Sequence, residues 1–439
     1  MVVKIDRALA AAFESGDFEP LVKLYAADAL LDWSMPGRRA RVVGPEAIGK
    51  QLSSWWPGSG TFTRWDAWAF PSGLTIEFER RADGALQRQR QFLRVRDGRI
   101  VRHQAYCARP QSGDSDELPD DAPVAAARRL NEIARREPLS HAGQSGNSLE
   151  RIVLADGRRL VVKRLSGDDW VARVTHDGGR EASLWTDGVL ARMPREIDHA
   201  VLAAGREGTG TWLLMRDVSD DLLPSDRRLT REESRRLLAT FSAMHRRFAG
   251  ERIEGACSLA NRIVLAAPAT VAGEVDGVDY LPKIIAVGWE VFAEVVPEDV
   301  ATAVLAAVED PEPLAHELAR CAPTLIHNDL RGANLGLISA RTIVLDWGMA
   351  GTGPCELDFA WYLFVNGWRI DATREQLVDD FRRVAADLHD PHALELSWLA
   401  QLCWHGPLLA HELVETSDEK RERARDELDW WVARVREAL

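Results

Sequence analysis

The chain has 439 residues, of which 46% are hydrophobic and 28% are charged, and its formal net charge is -13 at pH 7. This length predicts about two or three domains, and the negative charge excludes a nucleic-acid-binding surface, which needs clustered Lys and Arg side chains. Five scattered cysteines without a C-x-x-C pair favour a reducing cytoplasm, and the lack of a long apolar run predicts no membrane contact.

Residues 1–110 are predicted to form an α+β domain. Apolar side chains at helical spacing predict a helix over Ile5 to Phe13 and a shorter one over Pro20 to Tyr25. Gly44-Pro45 opens a third helix. A β-sheet follows, because β-rich runs alternate with turn signals such as Asp97-Gly98. The predicted strands are Ala29 to Trp33, Phe62 to Trp68, Leu74 to Phe78, Gln87 to Val95 and Arg99 to Tyr106.

Three segments of this region, Phe13 to Phe18, Leu24 to Ala29 and Gly44 to Ile48, resemble the SnoaL-like branch of the nuclear-transport-factor-like fold. The resemblance implies an α+β cone around an apolar pocket. Asp32 and His103 are a candidate acid/base pair in that pocket. The tryptophans available to line it are Trp33, Trp55, Trp56, Trp65 and Trp68. The domain is catalytic, ligand-binding or a dimerisation module that makes a homodimer, and the sequence leaves these alternatives open.

The composition changes after residue 110. Residues 111–123 interleave Pro and Gly with acidic side chains and have no apolar periodicity, which predicts a solvated linker. A helix is predicted to follow over Val124 to Arg135. The linker therefore separates the first domain from the remaining three quarters of the chain.

A Gly- and Ser-rich segment then precedes a predicted hairpin. Glycines let the backbone fold closely over phosphates, and N–H groups and hydroxyls can donate to phosphate oxygens. The candidate phosphate ligands are Ser145, Gly146 and Ser148. The returning strand ends on Lys163, an arrangement typical of kinases, in which the ammonium holds the α and β phosphates. Because burial of an unpaired charge is costly, Glu181 at the start of a later helix is expected to pair with Lys163.

Two segments in the last third of the chain have the spacing of a kinase catalytic loop. Asp329 is followed five residues later by Asn334, and Asp346 closes a run of apolar residues. Asp329 is predicted to be the base that orients the acceptor hydroxyl. Asn334 and Asp346 are predicted magnesium ligands, because hard cations prefer oxygen donors. His327 is expected to brace the loop, and Arg331 to offset the charge of the transferring phosphoryl group.

These residues resemble the aminoglycoside phosphotransferase family, with its H-x-D-x-x-x-x-N loop and its D-W or D-F metal-binding aspartate. The segment Pro354 to Ala360 is similar to the family's P-x-x-x-D-L-A segment, with Phe359 where the family most often has Leu. The segment Arg180 to Leu184 also resembles the family's R-E-A-x-L phrase. The family resemblance therefore extends from the small-lobe helix to the region after the catalytic loop.

The resemblance implies a two-lobed, protein-kinase-like fold. The small lobe, residues 124–216, is expected to be an antiparallel sheet. The large lobe, residues 217–439, is expected to be mostly helical and to contain the substrate-binding helices. The segment Thr230 to Glu233 is predicted to be the capping box of one of its helices. The strand from Trp212 is expected to end in the hinge between the lobes. There Met215 would flank the adenine, and the backbone of Asp217 and Val218 would bond its edge.

The resemblance also implies an ATP-dependent phosphotransferase that uses Mg2+ and phosphorylates a hydroxyl group of a small molecule. An aminoglycoside-like antibiotic, an amino sugar or a related metabolite is the expected acceptor, and the choice between ATP and GTP stays open. The alternative is a SnoaL-like hydrolase, isomerase or ligand-binding module that carries a degenerate kinase scaffold. A protein kinase is disfavoured, because no A-P-E segment follows Asp346.

Overall fold

The structure is a computed structural model that describes residues 2–35, 38–56, 58–70, 73–82, 85–107, 122–139, 147–165, 167, 170–207, 210–224, 226–277, 279–339, 341–415 and 418–439. The chain divides into two compact units. The first comprises Met1–Ser115, Val271–Val295 and Gly406–Trp430, and the second comprises Asp116–Thr270, Val296–His405 and Trp431–Leu439. The domain boundaries expected from the sequence remain predictions, and most of the predicted linker lies outside the described residues.

The N-terminal region contains three helices and six strands within its described residues. They are α1 (Val2–Ser15), α2 (Glu19–Val22), β1 (Tyr25–Met35), β2 (Arg38–Val43), α3 (Pro45–Trp55), β3 (Thr61–Phe70), β4 (Gly73–Ala82), β5 (Ala85–Arg96) and β6 (Arg99–Cys107). The five predicted strands and the first and third predicted helices are found. The second helix, predicted over Pro20 to Tyr25, is wrong in its second half, because it ends at Val22 and Tyr25 begins β1. The strand β2 is not predicted by the sequence, because it is an arginine-rich edge strand that pairs with β1 alone.

The next part of the chain is rich in strands. Its elements are α4 (Ala122–Arg128), β7 (Ile133–Leu139), β8 (Ser148–Leu154), β9 (Arg159–Leu165), α5 (Trp170–Thr175), α6 (Arg180–Thr186), β10 (Ile197–Asp198), β11 (Val201–Glu207) and β12 (Gly210–Arg216). The helix predicted over Val124 to Arg135 is wrong in its second half. It ends at Arg128, and the following residues form β7, because they pair with β8 along an antiparallel ladder.

The remaining elements are mostly helical. They are β13 (Leu229–Thr230), α7 (Arg231–Arg247), α8 (Leu259–Val264), α9 (Pro268–Glu274), α10 (Leu281–Val295), α11 (Glu298–Glu309), α12 (Glu312–Arg320), β14 (Thr324–Ile326), β15 (Leu335–Ile338), β16 (Arg341–Val344), β17 (Gly351–Gly353), α13 (Cys355–Asn366), β18 (Ile370–Asp371), α14 (Arg374–Ala385), α15 (Pro391–Glu415) and α16 (Asp418–Ala438). The α+β fold class is thereby confirmed. Across the described ranges, every helix is too short or too polar to cross a bilayer.

The sheet of the first unit has the strand order β2-β1-β6-β5-β4-β3. Its neighbours are antiparallel except for β1 and β6, which are parallel. One face packs on α1 and α3 around a buried aromatic core, in which Phe13 makes ring contacts with Phe18, Trp56 and Phe78. The cone is therefore closed on this side by its own helices.

Asp32 and His103 do not form the expected acid/base pair. In the ladder of β1 with β6, Asp32 is opposite Gln104, so the alternation of strand side chains puts Asp32 and His103 on opposite faces of the sheet. The His103 ring is held inside the core by the Tyr25 hydroxyl at 2.5 Å and by the Gln91 amide oxygen at 3.0 Å. Burial lowers the pKa of His103 to about 3, so the ring is neutral.

The opposite face of the same sheet is covered by later segments of the first unit. The Asp32 Oδ1 atom lies 3.9 Å from the Lys283 Nζ atom of α10, and both side chains are buried. Two further pairs join this face to residues 406–430: Phe92 with His411, and Glu77 with Lys420. The N-terminal sheet thus shares one compact unit with two later segments of the chain, Val271–Val295 and Gly406–Trp430.

The second unit contains an antiparallel sheet of order β11-β12-β9-β8-β7. Its core includes Val124 and Ala127 of α4 with Ile152, Val162 and Leu214 of the sheet. The helical part begins with α7, where Thr230 and Glu233 form the capping box that the sequence indicates. The short hairpin of β15 with β16 and the pair of β14 with β17 lie on either side of residues 327–334.

Candidate active site

The loop after β14 is fixed by one buried carboxylate. Asp358 of α13 accepts hydrogen bonds from the backbone N–H groups of His327 and Asn328, at 2.8 and 2.7 Å. His245 of α7 bonds the same carboxylate at 3.0 Å. Asn328 has a φ of 63°, a left-handed conformation that Asn tolerates better than most residues. Asp358 therefore stabilises the turn at Asn328, and this turn sets the orientation of the following residue, Asp329.

Asp329 lies in a polar environment formed by its own loop. The Asn334 side-chain amide donates to its carbonyl and to its Oδ2 atom, each at 2.9 Å. The Arg331 Nε atom is 3.2 Å from the same Oδ2. Burial raises the pKa of Asp329 above its ordinary value, although the Arg331 charge opposes the shift. The carboxylate is thus positioned and more basic than an exposed aspartate.

His327 connects the loop to the strand beyond it. Its Nδ1 atom accepts the Asp329 N–H at 3.1 Å, and its Nε2 atom donates to the Leu345 carbonyl at 3.0 Å. These two bonds require the neutral ring with its proton on Nε2. The ring also packs edge-on against Trp347, at 4.5 Å between centroids. These contacts connect His327 to the loop and to Trp347, and its bracing role stays a prediction.

Asp346 lies beside Asn334 because the Leu345 N–H bonds the Asn334 carbonyl at 2.9 Å. Its φ of 66° turns the carboxylate out of the preceding strand. The Oδ1 atom is 2.8 Å from Lys163 Nζ, and Oδ2 is 3.9 Å from the Arg331 guanidinium. Burial would raise the pKa of Asp346, but the charges of Lys163 and Arg331 outweigh it and hold the pKa below its ordinary value.

Lys163 lies on β9 and bridges two carboxylates. Its Nζ atom is 2.6 Å from the Glu181 Oε2 atom of α6 and 2.8 Å from Asp346. Burial lowers the pKa of Lys163, but the charges of Asp346 and Glu181 outweigh it, and the pKa is raised above the usual lysine value. The structure therefore brings Lys163, Glu181 and Asp346 together, although 183 residues separate the first from the last.

Arg180, which the sequence does not single out by itself, fixes the start of α6. Its guanidinium donates to the carbonyls of Thr175 and Gly255, at 2.9 and 3.0 Å, and also to that of Gly348. The Asp177 carboxylate accepts the Arg180 N–H at 2.5 Å. This residue precedes Glu181, so its contacts set where the Glu181 carboxylate meets Lys163.

The residues predicted to contact a nucleotide fall into two groups. Ser145 and Gly146 lie outside the described residues. Ser148 is exposed at the start of β8 and pairs with Arg164, the residue after Lys163. The Ser148 backbone is therefore one position away from Lys163 across the hairpin.

The other group follows β12. Met215 is buried near the end of that strand. The Asp217 N–H donates to the Arg159 carbonyl at 3.0 Å, and the Asp221 N–H donates to the Val218 carbonyl at 3.0 Å. One carbonyl, that of Asp217, and one N–H, that of Val218, are left for an adenine edge. The expected hinge contacts are thereby reduced to one acceptor and one donor.

Comparison with known families agrees with this geometry. Residues 140–396 match the model of the phosphotransferase enzyme family, and residues 6–103 match the model of the SnoaL-like domain. The chain belongs to the phosphotransferase enzyme family. It is a transferase that acts on hydroxyl acceptors, and the family match contains every predicted catalytic and nucleotide-site residue described above. No curated protein sequence matches the chain.

Solved structures similar to this phosphotransferase include three small-molecule kinases. An aminoglycoside phosphotransferase from Alicyclobacillus acidocaldarius is 15% identical, covers 74% of this chain and 96% of its own, and has a TM-score of 0.43. An aminoglycoside phosphotransferase in complex with GDP and kanamycin is 15% identical, with coverages of 72% and 96% and a TM-score of 0.44. Choline kinase LicA from Streptococcus pneumoniae is 11% identical, with coverages of 70% and 96% and a TM-score of 0.40.

Two residues that hold the candidate site in place, Asp358 and Arg180, are not assigned a role by sequence reasoning. The family-like segment Pro354 to Ala360 contains Asp358, but its bonds to the catalytic loop depend on a contact across 30 residues. Arg180 is the first residue of the R-E-A-x-L phrase, and its three carbonyl partners come from different parts of the chain. The motifs point to both positions, and only the fold supplies the partners.

Proposed function

We propose that this phosphotransferase transfers the γ-phosphoryl group of ATP to a hydroxyl group of a small molecule, with Asp329 as the general base. One observation carries the proposal. A continuous line of charged contacts runs from Glu181 through Lys163, Asp346 and Arg331 to Asp329. This line connects Lys163, a cation suited to binding phosphates, with Asp329, a base suited to activating an alcohol. A phosphoryl transfer needs both groups.

At the acceptor end, Asp329 binds the incoming hydroxyl and receives its proton. The Asn334 amide and the Arg331 guanidinium fix the carboxylate, so the hydroxyl oxygen is aimed as well as activated. The raised pKa of Asp329 favours proton acceptance. Arg331 lies between Asp329 and Asp346, where its charge offsets the negative charge on the transferring group.

At the nucleotide end, Lys163 binds the non-transferred phosphates. An ammonium has three N–H donors, and Glu181 and Asp346 accept two of them, which leaves one for a phosphate oxygen. The backbone near Ser148, with Ser145 and Gly146, would cover the phosphates. Met215 would contact the adenine, with the Asp217 carbonyl and the Val218 N–H on its polar edge.

The donors present fit magnesium. Asp346 supplies an ionised carboxylate, and Asn334 uses its amide N–H on Asp329, so that its amide oxygen is the remaining donor. Both are the hard oxygen ligands that Mg2+ prefers. When bound, two Mg2+ ions held by Asn334 and Asp346 would neutralise charge on the β and γ phosphates.

The proposed acceptor classes are aminoglycoside-like antibiotics, amino sugars and related metabolites. The proposed compartment is the cytoplasm, and its support is that the cysteines with described side chains, at 257, 321, 355 and 403, are free buried thiols. Homodimerisation through the N-terminal domain stays a prediction from the sequence, and sedimentation of the full chain tests it.

A coupled assay of ADP release tests the function. The full-length protein is incubated with ATP and Mg2+ against aminoglycosides, nucleoside antibiotics, amino sugars and small alcohols, and products are examined by mass spectrometry for an added phosphate. We expect magnesium-dependent ADP release with one acceptor class and phosphate on its hydroxyl. A protein that neither releases ADP nor gains thermal stability from nucleotide with magnesium would contradict the proposal.

A further inference from the structure

One buried arginine near the catalytic loop is stacked between two tryptophans. The guanidinium carbon of Arg262, on α8, lies 3.8 Å from the Trp404 ring centroid and 4.5 Å from that of Trp361. The Trp404 indole N–H donates to the Arg262 carbonyl at 2.7 Å. Only 9% of the Arg262 surface is accessible to solvent. These three residues, here called the Arg262 cluster, come from α8, α13 and α15.

The charge of this arginine has no counter-ion within the described part of the chain. No carboxylate there lies within ion-pair distance of Arg262, and its buried Nε–H has no hydrogen-bond partner. The buried indole N–H of Trp361 also has none. Stacking on two indoles offsets part of the desolvation cost, but a buried charge without an anion remains unfavourable. The Arg262 cluster therefore contains two buried N–H donors, Arg262 Nε and Trp361 Nε1, that have no acceptor within the described residues.

Neighbouring groups do not neutralise the guanidinium. Burial lowers the pKa of Arg262 to about 10, so it is a cation at neutral pH. Burial raises the pKa of the adjacent Cys257 thiol, which therefore stays uncharged. Asp329 and Asp358 lie near enough to favour the charged arginine, but each carboxylate already has partners of its own.

The position of the cluster relates it to the acceptor and not to the nucleotide. Lys163 and Asp346 form the proposed phosphate-binding end of the site, and among the described residues no ion pair joins Arg262 to Asp346 and no charge of Lys163 or Asp346 is among those that act on Arg262. Asp329, to which the acceptor must come, is the catalytic residue whose charge acts on Arg262. A cation beside the base, outside the line of ion pairs, is placed to bind another part of the acceptor molecule.

The aromatic surroundings disfavour a cationic acceptor group at this point. Two indole faces would suit a ligand ammonium, but the Arg262 guanidinium already covers them. The His405 ring stacks on Phe364 and lies 4.8 Å from Trp361, and burial holds its pKa well below the usual value, so it is neutral. The described wall of the cluster thus contains aromatic rings and N–H donors.

We propose that the acceptor alcohol carries a carboxylate or phosphate group, which binds Arg262 and the Trp361 N–H beside Asp329. The inference rests on the proposed function and narrows its acceptor to an anion-bearing metabolite. A planar guanidinium presents parallel N–H donors that match both kinds of oxyanion. A polycationic aminoglycoside would instead place its charges against Arg262.

A matched set of sugars tests the proposal. Glucose, glucosamine, glucuronate and glucose 6-phosphate share a hydroxylated ring and differ in charge. Each is titrated into the full-length protein saturated with ADP and Mg2+, with ligand-detected NMR for binding, and each is assayed with ATP for phosphate transfer. We expect glucuronate or glucose 6-phosphate to bind at least about tenfold more tightly than glucose and glucosamine. Which of the two binds better distinguishes a carboxylate from a phosphate ligand.

The variant Arg262→Met removes the charge and keeps a similar apolar length. We expect it to abolish the preference for the anionic sugar, with KM affected more than kcat and with glucose binding unchanged. Arg262→Lys keeps the charge and should retain part of the preference. Arg192→Met is the matched control, because Arg192 also stacks on an aromatic ring, that of Phe248, but is paired with Glu251.

The outcomes separate the two proposals. Equal or absent binding of all four sugars, or an anion preference that survives in a folded Arg262→Met variant, overturns the anionic acceptor while nucleotide-dependent activity can still stand. Absence of any response to ATP and Mg2+ overturns the kinase function. In that case the NMR titration without nucleotide still decides whether Arg262 selects the anionic sugars.

Discussion

Lys163 is the residue on which the charge balance of the site depends. It separates the carboxylates of Glu181 and Asp346, whose side chains would face each other without it. We expect Lys163→Met to lower the free energy of unfolding by about 3 kcal/mol, because removal of one partner leaves buried charge uncompensated. The KM for ATP should rise in parallel. Urea unfolding followed by tryptophan fluorescence measures the first effect, and steady-state kinetics the second.

The control for this substitution is Lys23→Met. Lys23 and Glu19 form an exposed pair on the protein surface, with side chains 73% and 83% accessible, and such pairs contribute less than about 1 kcal/mol. The double variant Lys163→Met with Glu181→Leu should regain part of the lost stability, because it removes one of the two opposed carboxylates. Equal, small losses for Lys163→Met and Lys23→Met would show that the buried ion pair is not formed.

The loop of residues 327–334 is held by helix α13, through Asp358 and through Asn366, whose side-chain amide donates to the Leu330 carbonyl at 2.8 Å. We expect Asp358→Ala to cost about 2 kcal/mol in the free energy of unfolding, because the N–H groups of His327 and Asn328 lose their acceptor. Turnover should fall while ATP binding changes little, since Lys163 and Glu181 are not touched. Hydrogen exchange at those two amides, with kcat and KM, measures both effects. Unchanged exchange at His327 would contradict the role given to Asp358.

Helices α7 and α14 are joined by a buried carboxylate whose contribution depends on pH. Asp380 pairs with Arg231 at 2.7 Å and Arg235 at 3.1 Å, and its side chain is fully buried. Burial would raise the pKa of Asp380, but the hydrogen bonds from the two arginines lower it from 3.8 to about 2. Because the folded pKa lies below the unfolded one, the stabilisation is complete above about pH 5 and is lost as the pH falls towards about 2.

The variant Asp380→Asn tests this dependence. The variant should have a lower free energy of unfolding than the wild type, and this difference should be largest near neutral pH. The difference should shrink as the pH falls through about 4, because the wild-type carboxylate then begins to be protonated and to lose its ion pairs. Asp387→Asn, which alters an exposed carboxylate paired with Arg246, is the control. A deficit that is the same at pH 7 and at pH 3 would show that the Asp380 charge does not stabilise the helix pair.

The sequence predicts most elements because their signals are local. The turn at Asp97-Gly98 and the capping box at Thr230 act within a few residues, and both are found where the sequence puts them. The strand β7 is not predicted, because its three consecutive charged residues, 135–137, have no strand pattern and form a strand only beside β8. The Asp329 and Asn334 motif is likewise recognisable from its local spacing, but the hydrogen bond between the two side chains is seen only in the structure.

At the scale of the whole chain, the N-terminal sheet is a structural partner of α10. Asp32 and Lys283 bury opposite charges against each other within the first unit. We expect Asp32→Asn to lower the free energy of unfolding by about 3 kcal/mol, because the buried charge of Lys283 loses the carboxylate of Asp32. The double variant Asp32→Asn with Lys283→Met should recover much of the loss. Urea unfolding of the full chain measures both.

The control for this pair is Arg41→Met, which removes an exposed ion pair with Asp276 in the same unit. It should change the free energy of unfolding by less than about 1 kcal/mol. A loss in Asp32→Asn no greater than that control would contradict the structural role. The placement of Asp32 and His103 on opposite faces of the sheet also counts against the alternative in which the SnoaL-like domain hydrolyses or isomerises a substrate with these two residues.

Contacts between distant parts of the chain could not be predicted. Asp32 lies in the predicted strand Ala29 to Trp33, and no feature of the sequence around it identifies Lys283 as its partner. The Arg262 cluster combines α8, α13 and α15, and each of its members alone has the pattern of an ordinary helix residue. Long-range pairs of this kind are set by packing, which a single sequence does not display.

Single-turnover transfer in the variant Asp329→Asn tests the central claim most directly. Protein saturated with ATP and Mg2+ is mixed with the acceptor identified by the screen, and the phosphorylated product is followed by rapid quench. We predict a rate lower by about a hundredfold or more, because the general base is lost, with ATP affinity unchanged. Transfer at the wild-type rate from a correctly folded Asp329→Asn protein would contradict the account.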